Sequence, residues 1–319
     1  MSKAPRFSVV VPAYNATRTI GATIGSILRQ TRSDLELLVV DDGSRDGTPE
    51  LVRQLGATDA RVRLIEQPNK GTAGARNTGI KESEADLVAF LDNDDMWMPR
   101  YLEAMDAALE RAPEAGFAYT DAIVLDDATG RIRKTSSLEH YPPLLNPAPP
   151  AGVLELLLSY VNFVMSSTTV RREALDATGG FDERIRGADD FDLWIRIAAK
   201  GYGAARAEGV NLVQRDRDDS QSKDLSMMVE NAREVLSLAS SNDDLNEAEK
   251  AAARASVAEL ERFLGKISGE RKAAALAWRV RRRLSPVRQR LSRTRDWIEL
   301  PPDVAAAIPE LAGRRQEAP

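Results

Sequence analysis

The sequence predicts an α/β protein built on a doubly wound sheet. Three observations carry this reading. The first 125 or so residues alternate short β-branched apolar runs with stretches of helical period. Each apolar run stops at a cluster of polar or tight-turn residues. A chain of 319 residues, 43% hydrophobic and 29% charged, has enough apolar material for one large domain with an appendage.

In chain order, residues 7–11 are a β-branched strand closed by Pro12, and Ile20, Ile24, Ile27 and Leu28 then recur at helical spacing. Residues 35–40 form a second strand ending in Asp41-Asp42-Gly43-Ser44. Thr48-Pro49 starts a helix, with the hydroxyl at the cap and proline at the first helical position. Short strands are expected at 62–65 and 87–91, then a helix from about 99 to 112 and a strand near 117–119. Asp127-Ala128-Thr129-Gly130 reads as a hairpin turn. The stretch 141–150 holds five prolines and is a loop or flap. A helix over 153–160, a strand over 167–170, a Gly179-Gly180-Phe181-Asp182 turn and a helix from Asp190 to Lys200 follow. From Leu225 the pattern is helical throughout, with a loose tail over 300–319.

The absence of cysteine excludes a disulfide framework and a thiolate metal site, and fits a reducing compartment. The N-terminus runs into the first strand without a signal-like apolar region, and no apolar run is long enough to cross a bilayer. The expected location is cytoplasmic, with any membrane contact peripheral on the inner face. The net charge of −5 conceals an asymmetry: residues 270–295 hold ten Lys/Arg and one acidic residue, leaving −14 on the rest. Within that segment Leu276, Val280, Leu284, Val287 and Leu291 form an apolar stripe, with Pro286 dividing it. Such a helix either lies on anionic lipid, with Trp278 near the interface, or packs its stripe on the acidic body. No motif supports nucleic-acid binding.

In open α/β sheets ligands bind beyond the carboxyl ends of the strands, where the strand order reverses. Four strand ends carry suitable residues: Pro12-Ala13-Tyr14-Asn15, Asp41-Asp42-Gly43-Ser44, Asn69-Lys70-Gly71 and Asp92-Asn93-Asp94-Asp95. Three carboxylates in four positions repel one another unless a cation or burial changes their charge state. A hard divalent ion would hold them together with phosphate oxygens. The bland alternative is a loop that caps the helix near Pro99.

These motifs, in this order, resemble glycosyltransferase family 2. The resemblance rests on residues 9–15, 40–48, 71–79 (Gly-Thr-Ala-Gly-Ala-Arg-Asn-Thr-Gly) and 90–95, and covers roughly 7–222. It implies a GT-A fold, a Rossmann-like mixed sheet flanked by helices, with a C-terminal helical extension. Residues 1–222 would be the catalytic domain, its nucleotide half about 7–125 and its acceptor half about 126–222. The extension would cover 223–299. The implied activity is metal-dependent inverting transfer of a sugar from a nucleoside diphosphate sugar, most often a UDP-sugar, to an acceptor hydroxyl. Glycan, lipid-linked or small acceptors would all suit such an enzyme. A non-catalytic sugar-nucleotide-binding or scaffold protein on the same fold is the reading from another class.

Carried over by position, Pro12, Ala13, Tyr14 and Asn15 would wall the base, and one of Asp41 and Asp42, Asp41 first, would accept from a base N–H. Asp92 and Asn93 would face the ribose, and Asp94 with Asp92 would bind Mn²⁺ or Mg²⁺. Tyr14 could instead be a packed core residue. Lys70 and Gly71 would approach phosphate, unless Lys70 is simply an exposed lysine. Arg76 and Asn77 divide evenly between ligand contact and shaping a helix start.

Gly179-Gly180-Phe181-Asp182-Glu183 and then Asp189-Asp190 resemble the family's second signature, whose acidic pair supplies the general base. Asp190 takes that role here; relatives usually have Glu-Asp, so Asp189 stays open as the partner candidate. A helix N-terminus lowers a carboxylate pKa, whereas neighbouring anions raise it, and the two effects oppose each other at Asp190. Trp97 reads as core or as a sugar-pocket wall, and Trp194 as core. The family often has a histidine after this helix; here residues 214–222 contain none, and Arg217 stands near its place. An arginine cannot ligate a metal but can pair with a diphosphate. The single histidine, His140, is expected at the surface beside the Pro-rich loop.

Overall fold

β1 (Phe7–Ala13) sends Val9 and Val11 to one apolar core and Val10 to the other, the period-2 alternation of a strand buried on both faces. The computed structural model describes residues 4–134, 136–138, 146–160, 162, 164, 167–218, 220 and 223–265. β1 is followed by α1 (Ile20–Leu28), β2 (Leu35–Asp41), α2 (Thr48–Thr58), β3 (Val62–Glu66), α3 (Gly71–Glu82) and β4 (Leu87–Phe90). Next come β5 (Met96–Trp97), α4 (Tyr101–Arg111), β6 (Ala115–Asp126), β7 (Ile132–Lys134) and α5 (Pro150–Leu158). β8 (Thr168–Arg171), α6 (Arg172–Thr178), α7 (Asp189–Ala199), β9 (Gly203–Asp216), α8 (Leu225–Ala239) and α9 (Glu247–Leu264) complete the described elements.

The strands form one mixed sheet in the order β3-β2-β1-β4-β8-β6-β9-β5, with β7 on β6. β3, β2, β1 and β4 are mutually parallel, and β8 turns antiparallel against β4. The strand order reverses between β1 and β4, so their carboxyl ends open a crevice. Beyond Val10 only β2 accompanies β1, which leaves one flank open where Pro12 lacks an N–H. The strand therefore runs past its expected stop at Pro12.

α1 and α4 cover one face of the sheet, and α3, α5, α6 and α7 the other. On the second face Val229 and Leu236 of α8 and Phe263 of α9 join Trp194 of α7 and Leu157 of α5 in one core. Residues 223–265 thus pack directly on the body. α9 opens with a complete Asn246–Glu249 capping box. The basic segment 270–295, the tail 300–319, His140 and residues 141–145 lie outside the described residues.

Most expected elements are present within a few residues, and the hairpin turn at Asp127–Gly130 joins β6 to β7. Capping of α2 differs in detail: the Asp46 carboxylate takes the Thr48 N–H, and the Thr48 hydroxyl accepts from the Ala16 N–H. Four elements carry no pattern that sequence reading detects. α3 buries alanine and glycine instead of large apolar residues, and β9 opens Gly-Ala-Ala-Arg-Ala-Glu-Gly. β5 and α6 are short.

The glycines of α3 are what let it lie on β1. A Cβ at Gly79 would stand 2.3 Å from Val10 Cγ1. Alanine normally favours a helix over glycine by about 1 kcal/mol, yet here the clash dominates. Gly79→Ala should destabilise the fold by about 1–3 kcal/mol in urea unfolding; an unchanged midpoint would show that the contact relaxes freely.

Candidate active site

The crevice between β1 and β4 is drawn together by polar side chains from the loops that follow the strands. Asn93 Nδ2 donates to the Pro12 carbonyl at 2.9 Å, tying the two strand ends at the point of reversal. Asn15, at φ 49°, donates its N–H to Ser44 Oγ, and its side-chain oxygen accepts from the Arg45 N–H. These bonds fix the β1 and β2 loops side by side. Tyr14, between them, is 47% exposed, so it is a rim residue and not a core tyrosine. Ala13 is buried beneath it.

The acidic pair at the end of β2 divides its duties. Asp42 is consumed by the scaffold: one oxygen accepts from Gln67 Nε2 and the Lys70 N–H, the other from the Gly71 N–H at 2.8 Å. Asp42 thereby sets the start of α3, where Gly71 takes φ 82°. Asp41 Oδ2 accepts from the Ser44 N–H, while Oδ1 is buried without a hydrogen-bond partner. A buried carboxylate oxygen in that state is an acceptor awaiting a donor. Lys70 is exposed, and its ammonium has no ion-pair partner among the described residues.

The cluster after β4 also divides. Asp95 is buried; its Oδ1 accepts from the Arg215 N–H of β9, and its backbone oxygen accepts from Thr23 Oγ1. Burial, then the charges of Asp94 and Asp92, hold its carboxyl well above the usual range. Asp95 is therefore a pin between β9, α1 and this loop. Asp92 Oδ1 accepts from Arg76, and its other carboxylate oxygen makes no hydrogen bond among the described residues. Burial first and the charge of Asp92 second raise the Asp94 pKa, and Arg217 opposes them, its guanidinium 3.2 Å from Asp94 Oδ2.

Among the described residues no three His, Cys, Asp or Glu side chains group as metal ligands. The available donor set is the carboxylate pair Asp92 and Asp94. That suits a hard divalent ion, which takes one or two carboxylates and completes its shell with substrate phosphates and water.

Arg76 is the central cation of the site. Its side chain is only 5% exposed, with one nitrogen 2.7 Å from Asp92 Oδ1 and the other 2.7 Å from Asp189 Oδ2. The guanidinium also stacks over Phe181, 5.2 Å from the ring centroid. Burial alone disfavours its charge, and the attraction of Asp189 and Asp92 more than offsets this. Next to it Asn77 makes a two-way clamp, donating to the Phe181 carbonyl and accepting from the Phe181 N–H at 2.8 Å. A Cβ at Gly180 would stand 2.7 Å from Asn77 Oδ1, so the paired glycine there is a steric requirement. α3 thus docks the loops after β2 and β4 onto the Gly-Gly-Phe turn and the start of α7. Arg76 and Asn77 make these contacts with protein atoms.

At the start of α7 the two aspartates are inequivalent. Asp189 is buried in its ion pair with Arg76. Asp190 is half-buried, and Oδ1 accepts only the adjacent Phe191 N–H. Burial and then the Asp189 charge raise its pKa to about 6, against the pull of Arg76. Burial and the Asp189 charge together outweigh the Arg76 charge and the Phe191 N–H. Trp97 is buried, stacked on Tyr101 at 4.0 Å and donating to Ser167 Oγ, and so belongs to the core. Trp194 is core as well.

With this geometry in place, comparison with known proteins is decisive at the level of the family. The model of glycosyl transferase family 2 matches residues 8–178, more than half of the chain. The chain belongs to glycosyltransferase family 2. The glycosyltransferase is 34% identical over 229 residues to the succinoglycan biosynthesis protein ExoO of Rhizobium meliloti, spanning 70% of this chain and 64% of ExoO. Its fold matches that of Staphylococcus aureus TarS 1–349 in complex with UDP-GlcNAc at a TM-score of 0.63, 19% identity, over 80% of this chain and 72% of that one. The mannosyltransferase PcManGT of Pyrobaculum calidifontis, in complex with GDP-Man and Mn²⁺, matches at 0.57 and 22% identity, over 88% and 80%.

Sequence reading did not assign Asp95, Arg215 or the Arg76–Asp189 pair. The pair spans 113 positions, and nothing local marks it. Arg76→Met should cost the glycosyltransferase about 3–5 kcal/mol, because it leaves Asp189 buried and uncompensated. Adding Asp189→Asn should recover part of that loss in chemical denaturation. Strictly additive losses would contradict a direct coupling.

Proposed function

We propose that this glycosyltransferase is a metal-dependent inverting enzyme acting on a nucleoside diphosphate sugar, a UDP-sugar in the first instance, with an acceptor hydroxyl in polysaccharide or glycolipid synthesis. The observation that carries this reading is the Arg76 guanidinium bridging Asp92 and Asp189, which leaves the adjacent Asp190 bonded only to the Phe191 N–H, its pKa raised to about 6 by burial and then by the Asp189 charge. The names of the relatives support its outer terms: succinoglycan biosynthesis for ExoO, UDP-GlcNAc for TarS, GDP-Man and Mn²⁺ for PcManGT.

In this reading Tyr14, with Pro12 and Ala13, walls the base, and the buried Asp41 Oδ1 accepts from a base N–H. Asp42 and Asn93 act through the loops they hold, and Asp92 faces the ribose. Asn15 keeps the two rim loops in register. Lys70, the Gly71 backbone and Arg217 face the diphosphate. Asp92 and Asp94 would hold Mn²⁺ or Mg²⁺, which when bound neutralises charge on the departing diphosphate. Asp190 takes the proton of the acceptor hydroxyl as that oxygen bonds to the anomeric carbon and the bond to the diphosphate oxygen breaks. Attack from the face opposite the leaving group inverts the configuration. Residues 1–222 would form the catalytic unit, with 223–299 as its helical extension. Contact of 270–295 with an anionic membrane at the inner face of a cytoplasmic enzyme rests on the basic charge and apolar stripe of that segment. Among the described residues no helix is long and apolar enough to cross a membrane.

Asp190→Asn should retain nucleotide affinity and lose transfer by about 10²–10⁴-fold. The same variant should be more stable at about pH 8. A carboxyl raised to about 6 in the fold costs the folded state most above pH 6, and that cost fades as pH falls towards the unfolded value. Differential scanning fluorimetry with a coupled transfer assay reads both effects; unchanged turnover removes Asp190 from the mechanism. Asp94→Ala should abolish the dependence of nucleotide binding on Mn²⁺ in calorimetric titration, and an unaltered dependence would sink the metal assignment.

A further inference from the structure

The end of β9 delivers an arginine to a carboxylate that the proposed function reserves for a divalent ion. Arg217 Nη1 lies 3.2 Å from Asp94 Oδ2, with both side chains largely shielded from solvent. This approach is built into the fold and is not a chance surface contact. The residue two positions earlier, Arg215, donates its backbone N–H to Asp95 Oδ1 at 2.9 Å. The Arg215 guanidinium is buried, donating to Met96 Sδ and to Asp127 Oδ1. β9 is therefore fastened to Asp95, Met96 and Asp127 before it reaches Arg217. Just beyond, Lys223 pairs with Asp216 and Asp218, each at 3.0 Å.

Two cations cannot share one carboxylate edge without strong repulsion. A guanidinium offers no lone pair, so it cannot join a metal shell. It does form charge-assisted, bidentate bonds with phosphate oxygens. We propose that Arg217 is the resident counter-ion of Asp94 and exchanges it for the diphosphate when nucleotide and divalent ion enter together. Metal alone must compete with the guanidinium for Asp94. Metal arriving with nucleotide brings the anion that receives the displaced guanidinium. The exchange makes binding of the ion conditional on the nucleotide, and it moves Arg217 from Asp94 to the diphosphate when the nucleotide binds. This inference rests on the metal-dependent reading above.

The test is Mn²⁺ binding to the full chain, followed by electron paramagnetic resonance of the free ion, with and without UDP or GDP. Without nucleotide, Arg217→Gln should bind Mn²⁺ about fivefold more tightly than the parent protein, the size expected for removing one partly exposed ionic competitor. Arg217→Lys, which keeps the charge, should stay near the parent value. With nucleotide present the advantage of Arg217→Gln should disappear or reverse. Equal Mn²⁺ affinity of the parent and Arg217→Gln without nucleotide overturns the exchange while leaving the metal reading intact. Failure of all three proteins to bind Mn²⁺ even with nucleotide overturns both, and would mean that the arginine stands in the ion's place.

Discussion

The site depends on one buried cation. Arg76 reaches two carboxylates from opposite ends of the fold, Asp92 after β4 and Asp189 at the start of α7. Removing the arginine leaves Asp189 buried without its counter-charge and Asp92 facing it as a second anion. The guanidinium is held over Phe181, and the neighbouring Asn77 clamps the backbone of that same residue. One turn of α3 thus joins the loop after β4 to the Gly-Gly-Phe turn and the start of α7. The small residues of α3 follow from this task, since only a helix with glycine at position 79 can lie close enough on β1.

The remaining electrostatics sort the acidic residues by what each has left to offer. Asp42, Asp95 and Asp189 spend their oxygens on the scaffold. Asp41 keeps one buried oxygen without a hydrogen-bond partner, and Asp92 and Asp94 are each paired with an arginine, Arg76 and Arg217. Asp190 stands apart, bonded only to the N–H beside it and raised by burial and by Asp189. An acidic site of this kind holds together because arginines are interleaved with it: Arg76 between Asp92 and Asp189, Arg215 on Asp127 and Arg217 on Asp94.

Much of this was legible in the sequence because strands buried on both faces announce themselves as apolar runs, and their ends carry the polar loops. The positions of Asp41, Asp92, Asp94 and Asp190 at strand or helix ends needed nothing more. The division of labour within each acidic pair was not legible, because it is decided by partners far away in the chain: Gly71 for Asp42, Arg215 for Asp95, Arg76 for Asp189. α3 and β9 were hidden for a related reason. Both are shaped by close packing of glycine and alanine against neighbours, so they carry no periodic stripe of large residues. Tyr14 shows the converse, an apolar residue at the end of a core strand whose side chain is turned outward.

The central claim is that Asp189, held by Arg76, sets Asp190 up as the base. The pH dependence of kcat for transfer, compared between the parent protein and Asp189→Asn, tests it most directly. The acid limb of the parent should titrate near 6, with activity lost as pH falls through that value. Removing the Asp189 charge lifts a repulsion and leaves the Arg76 attraction less opposed, so the limb of the variant should move to lower pH. A limb that stays in place, or moves upward, would contradict the account.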